Sequence, residues 1–228
     1  MKIEDRASPN FNDRPAGAAI DMVVLHYTGM LSAEVALDRM CDPEAAVSAH
    51  YTVDEDGDVY RLVAEDKRAW HAGISYWRGA TDINDRSIGI EIVNPGHEFG
   101  YRSFPEPQMA AVEELLREIV SRHDIDPARI VGHSDVAPAR KQDPGELFDW
   151  QRLAAAGLAV WPYRAADPVS RDDAAKTLSK IGYDPDAPLA DIITAFQRRF
   201  LPHAVSGHAD LRTRTMIAAV AAVETDSS

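Results

Sequence analysis

A mixed α/β domain of about 160 residues, followed by a small bundle of three helices, is the fold class the sequence predicts. Short apolar runs rich in strand formers alternate with stretches of helical periodicity as far as Trp161. A break from Pro162 to Pro168 reads as a linker, and beyond it only amphipathic helical patterns follow. The chain has 228 residues, 45% hydrophobic and 27% charged, an ordinary soluble composition that excludes wholesale disorder.

Pro9 and Pro15 mark an extended arm over the first twenty residues. Met22-Val23-Val24-Leu25 is a short apolar run with the pattern of a buried strand, and Ala33 to Met40 is helical in character. His50 to Val53 and Val59 to Leu62 flank Asp56-Gly57, which predicts a hairpin. Ile88 to Val93 alternates like a strand. From Gln108 to His123, Met109, Val112, Leu115, Leu116, Ile119 and Val120 fall on one helical face, and Pro105 and Pro107 suit its start. Ile130-Val131 is a further short strand. A loop dense in charge and proline then runs to Gly145, and Gln151 to Ala156 reads as a short helix stopped by Gly157. In the C-terminal part, Ser170 to Asp173 reads as a capping box for a helix that ends at Gly182. Leu189 to Phe200 makes a second helix closed by Pro202, and Asp210 caps a third carrying Met216, Ile217, Val220 and Val223.

Lys and Arg total 24 against 37 Asp and Glu, a net charge of −13, the wrong sign for gripping nucleic acid or an anionic membrane. The one cysteine, Cys41, excludes an internal disulfide and a Cys-rich metal site, and reads as a small buried apolar residue. No window reaches the roughly 18 apolar residues of a membrane span. Residues 1 to 17 are polar and mixed in charge, so the chain as it stands is expected in the cytoplasm; a leader already removed would place it in the periplasm or envelope.

His26 closes one apolar strand and His133 follows another, with Asp143 ten residues later. Two imidazoles and a carboxylate suit a catalytic zinc site that keeps its fourth position open. Histidines that end strands are also commonly packed or surface residues, so the pattern alone leaves both readings open. Glu91 faces away from Ile90 and Ile92, which gives it either a solvated face or a task. Lys141 would project to the same side as Asp143 in an extended segment, or be a solvated loop charge.

Six motifs occur in order: Leu25-His26-Tyr27-Thr28, Val47-Ser48-Ala49-His50-Tyr51, Ala69-Trp70-His71-Ala72-Gly73, Asn84 through Glu91, Val131-Gly132-His133-Ser134-Asp135, and Arg140 through Gly145. Together they resemble the type-2 zinc-dependent N-acetylmuramoyl-L-alanine amidases, over about residues 15 to 162. The resemblance implies a central mixed β-sheet flanked by helices, a catalytic domain over 1–162 and one zinc ion held by His26, His133 and Asp143. It further implies that Glu91 moves the proton of the attacking water, that Lys141 stabilises the oxyanion, that His71 lines the substrate cleft and that His50 supports the site from behind. Residues 168–228 resemble a three-helix peptidoglycan-binding module.

The implied reaction is hydrolysis of the amide between the lactyl group of N-acetylmuramic acid, or its anhydro form, and L-alanine. The implied partners are peptidoglycan or muropeptide fragments. One alternative is an enzyme confined to cytosolic 1,6-anhydro-muropeptides; Ala46 and Asp82, where that branch carries basic side chains, speak against it. The other is a protein that binds muropeptides without cutting them. His97, His123, His203 and His208 lie outside the motifs and are expected at the surface.

Overall fold

The computed structural model describes residues 2–225. The arm forms β1 (Ile3–Asp5) and β2 (Phe11–Asp13), followed by β3 (Met22–Tyr27) and helix α1 (Ala33–Cys41). β4 (Tyr51–Val53) and β5 (Val59–Arg61) make the expected hairpin. β6 (Lys67–Ala69), β7 (Tyr76–Trp77), β8 (Ala80–Thr81) and β9 (Ser87–Ile92) precede α2 (Gly96–Phe99) and the long α3 (Glu106–His123). β10 (Ile130–Gly132) runs directly into α4 (His133–Val136), and α5 (Trp150–Ala155) follows. The C-terminal helices are α6 (Ala174–Ile181), α7 (Leu189–Phe200) and α8 (Leu211–Thr225).

Among the described residues the main sheet has six strands, ordered β1-β5-β4-β9-β3-β10. All its pairs are parallel except the β4–β5 hairpin. Side chains alternate between the faces of such a sheet, and the two faces have different tasks. Val23, Leu25, Ile88, Ile90, Ile92 and Ile130 point to one face and pack on the apolar stripe of α3. There Val112, Leu115, Leu116 and Ile119 are fully buried, each contributing about 1.5–3 kcal/mol. Met22, Val24 and Val131 point to the other face and meet Leu178, Ile192, Phe196, Ile217 and Val220 of the C-terminal helices. His26 and Glu91 continue that second face toward the carboxyl ends of β3 and β9.

Several local expectations change. The arm is not merely extended: β1 pairs with β5 and β2 with β6. Edge strands with open hydrogen-bonding groups capture three-residue segments that carry no alternation of their own. The loop after Ile130-Val131 contains α4, one turn of helix. At Ser170 the hydroxyl oxygen accepts from Asp173 N–H and the hydroxyl donates to the Asp173 carboxylate, so the helix begins later, at Ala174. Asp210 caps α8 as expected, accepting from Thr213 N–H at 2.7 Å. Cys41 is half-buried, with its thiol toward the Arg6 carbonyl. The helices after the 162–168 segment share one core with the sheet. No helix among the described residues is long and apolar enough to cross a membrane.

Candidate active site

Strand register builds the site. In the parallel pairing of β3 with β9, His26 lies opposite Glu91, and Glu91 lies opposite Thr52 of β4. All three therefore occupy one row on the second face. β10 ends beside Leu25, so the residue after Gly132 arrives next to His26; that residue is His133. Asp143 returns from the following loop, anchored where its carbonyl accepts from Ser134 N–H at 2.9 Å.

The result is a triangle of donor atoms. His26 Nδ1 lies 2.9 Å from His133 Nδ1, and Asp143 Oδ2 lies 3.1 and 3.0 Å from the two nitrogens. All three side chains are buried. A tetrahedral zinc with bonds of about 2.0–2.1 Å needs donor separations of about 3.3 Å, close to those found. Among the described residues no other group of three histidine, cysteine or acidic side chains converges in this way.

The remaining ring nitrogens set the tautomers. His133 Nε2–H donates to the Ala72 carbonyl at 3.0 Å, which leaves its Nδ1 as a lone pair. Behind His26 a relay runs inward. His26 Nε2–H donates to His71 Nδ1 at 3.1 Å, and His71 Nε2–H donates to Ser87 Oγ at 3.2 Å. The Ser87 hydroxyl in turn donates to the Ile83 carbonyl at 2.7 Å. This direction of donation is the one that frees His26 Nδ1 for a metal. Asn84 Oδ1 accepts from the backbone N–H of His71 and Ala72 and holds the segment.

Burial gives the site its electrostatics. It pushes His26 down to about 4, with the neighbouring His133 adding to the effect, and it pushes His71 far below its ordinary value. Burial opposes ionisation of Asp143, yet the two imidazoles hold its carboxyl well below the usual range. Glu91 goes the other way: burial, then the nearby Asp143 charge, raise it well above an ordinary carboxyl. Its Oε1 lies 4.0 Å from His26 Nδ1, and its Oε2 is buried without a hydrogen-bond partner. A carboxylate oxygen left open beside a metal triangle is placed to meet a water or a substrate proton.

The triangle opens on a cleft of about 390 Å³. Tyr27, Trp70 and Glu91 line it, and Arg39, Arg140 and Lys141 put cations at its rim. Lys141 is exposed there. Arg140 is tied down, donating to the carbonyls of Ala72 and Ile74.

The expected residues are therefore gathered, with one shift of place. His71 borders the cleft but spends both ring nitrogens inside the protein, against His26 and Ser87. His50 sits one layer further back: Nδ1 accepts from Gly89 N–H at 2.9 Å, and Nε2 lies 3.1 Å from the Lys67 carbonyl and 3.0 Å from Arg14. Of the histidines outside the motifs, His203 and His208 are exposed. His97 and His123 are half-buried, paired with Glu146 and Glu65. Ser87, Asn84 and Asp135 lie inside the motifs but had no assigned role. A polar residue at the buried start of a strand was the available signal for Ser87.

Gly89 shows how tight the support is. A Cβ there would lie 2.6 Å from His71 Cδ2 and closer still to Cγ. Gly89→Ala is expected to push His71 off His26 and to weaken zinc binding about 10–100-fold, the usual cost of losing a ligand's orienting partner. Competition with a chelating dye measures this, and unchanged affinity would refute the relay.

Comparison with known proteins gives the family. Residues 16–146 match the Amidase_2 family model, described as N-acetylmuramoyl-L-alanine amidase. The chain is 37% identical to the N-acetylmuramoyl-L-alanine amidase AmiD of Escherichia coli over 88% of its own length and 82% of the relative's. It is 34% identical to the 1,6-anhydro-N-acetylmuramyl-L-alanine amidase AmpD of Haemophilus influenzae, over 64% of this chain and 86% of that one. The structure of E. coli AmiD with anhydro-N-acetylmuramic acid-L-Ala-D-gamma-Glu-L-Lys superposes with a TM-score of 0.79 at 34% identity, covering 92% and 96% of the two chains. AmpDh3 of Pseudomonas aeruginosa, in complex with an anhydromuramic pentapeptide, gives 0.82 at 30% identity, covering 92% and 94%. The mixed sheet, its flanking helices and a family match across more than half the sequence lead to one conclusion: the chain belongs to the Amidase_2 family of N-acetylmuramoyl-L-alanine amidases.

Proposed function

We propose that this amidase holds one zinc ion at His26, His133 and Asp143 and cleaves the amide between the lactyl group of N-acetylmuramic acid, or its anhydro form, and the L-alanine of a stem peptide. The observation that carries the reading is the donor triangle with Glu91 in register beside it. Bound zinc would supply Lewis acidity toward water and the scissile carbonyl. The chain's own residues supply the rest. Glu91, its proton affinity raised by burial, takes a proton from the attacking water and returns it to the departing L-alanine amine. Lys141 sits at the cleft rim two residues from Asp143, where its ammonium stabilises the oxyanion of the tetrahedral intermediate. The relay through His71 and Ser87 keeps His26 in its ligand tautomer. Tyr27 and Trp70 line the cleft and offer ring faces to the substrate.

Product analysis on matched muramyl and anhydro-muramyl peptides tests this. The purified protein is expected to release a new L-alanine amino terminus, to stop when stripped by a chelator and to recover with added zinc. The ratio of rates on the two peptides reports the preferred glycan end. Cleavage that survives stripping, or no cleavage by zinc-loaded protein, would overturn the proposal.

A further inference from the structure

Asp135 is 1% exposed, and three donors converge on its carboxylate. Oδ2 accepts from Gly132 N–H at 2.8 Å and from Arg199 at 3.1 Å; Oδ1 accepts from the Tyr183 hydroxyl at 2.7 Å. Gly132 is the last residue of β10 and His133 follows it, so this carboxylate fixes the turn that delivers one ligand. Two of the three donors come from the C-terminal helices: Tyr183 just after α6 and Arg199 in α7. Arg199 is itself 6% exposed and stacks over the Trp150 ring at 4.1 Å. Charge-assisted bonds of this kind are short, directional and strong when shielded from water.

The preceding residue reaches the other ligand's loop. Arg198 donates to Gln142 Oε1 at 3.2 Å, and its Nε lies 3.7 Å from Glu146. Those two contacts bracket Asp143. The two ligand segments are also joined to each other, through Ser134 N–H on the Asp143 carbonyl.

We propose that α7 is a positioning element of the metal site: Arg199, helped by Tyr183, sets His133 through Asp135, and Arg198 sets Asp143 through Gln142 and Glu146. The inference rests on the reading of His26, His133 and Asp143 as zinc ligands. It gives the C-terminal helices a part in catalysis on every substrate, soluble fragments included. A tether to the cell wall would matter only on intact sacculi.

The test uses the full chain and two readouts: the zinc dissociation constant by chelator competition, and kcat and KM on a soluble muramyl peptide at saturating zinc. Arg199→Met is expected to weaken zinc binding about tenfold or more and to lower kcat by a similar factor, with KM moving less than threefold. Arg199→Lys should recover part of both losses. Tyr183→Phe, which removes the hydroxyl that donates to Asp135, should weaken zinc two- to fivefold, and it decides the matter if Arg199→Met does not fold. Ile217→Ala, in the same core but on α8, which gives Asp135 none of its three donors, lowers stability and should leave zinc affinity unchanged. Zinc affinity and kcat of the Arg199 and Tyr183 variants within twofold of the parent would overturn the proposal, as would an equal loss in Ile217→Ala. Parent-like zinc affinity in His133→Ala would instead overturn the ligand assignment beneath it.

Discussion

Glu91→Gln is expected to lower kcat about 10²–10⁴-fold while zinc content and affinity stay near those of the parent. The substitution keeps size, shape and an acceptor oxygen, and removes the carboxylate's charge and its capacity to carry a proton. Glu91 is not part of the donor triangle, since its nearer oxygen stands 4.0 Å from His26 Nδ1. Its raised proton affinity, caused by burial and by the Asp143 charge, suits a group that must take up a proton and hand it on. Gln cannot cycle in this way. Its amide would also leave a different polar atom in the place of Oε2. Rate measurements beside metal analysis check the expectation. A variant within tenfold of the parent would remove Glu91 from proton transfer, and one that loses zinc would move it into the metal's coordination. Binding of muropeptide by zinc-loaded Glu91→Gln would also yield a non-cleaving protein, the property a pure recognition protein would have without mutation.

Much of this site was legible in the sequence because its residues sit at or near the ends of regular elements and inside motifs that resemble those of a known family. His26 terminates an apolar run, Glu91 alternates with Ile90 and Ile92, and His133 follows Ile130-Val131-Gly132. That pattern leaves packed or solvated roles open, and the six ordered motifs with their family resemblance single the three out. Register then does what periodicity cannot. The pairing of β3 with β9 puts His26 against Glu91, although 65 positions separate them by number. The residues that escaped reading are those whose meaning depends on a partner far along the chain. Asp135 is an ordinary helix-turn acid until Arg199, 64 residues later, closes on it. Arg198 and Arg199 look like the solvated last turn of an amphipathic helix, and His71 looks like a cleft residue until Ser87 and His26 take its two nitrogens. The C-terminal helices were legible as helices but not as the second layer on the sheet. Nothing in their own periodicity says that Leu178, Phe196 and Ile217 pack on Met22, Val24 and Val131 as well as on one another.

His133→Ala is expected to weaken zinc binding more than about 100-fold, beyond the usual cost of losing a mere orienting partner. Activity should fall by about 10³-fold or more, because the metal contributes several kcal/mol of transition-state stabilisation and each 1.36 kcal/mol is a factor of ten. The fold has good reason to survive. The Ala72 carbonyl, deprived of the His133 Nε2–H, keeps the Arg140 guanidinium as a donor at 3.2 Å. Asp135 and its three donors hold the turn independently of the imidazole. The His71–Ser87 relay behind His26 and the Ser134 N–H on the Asp143 carbonyl likewise do not depend on the His133 ring. The decisive measurement is thermal unfolding with and without zinc. A ligand that binds only the native state stabilises it by about 2.7 kcal/mol at a hundred times its dissociation constant. The parent and Glu91→Gln should both show that zinc-dependent rise in Tm, and His133→Ala should show almost none at the same metal concentration. An equal rise in all three proteins would place the metal elsewhere and break the link between the triangle and the chemistry.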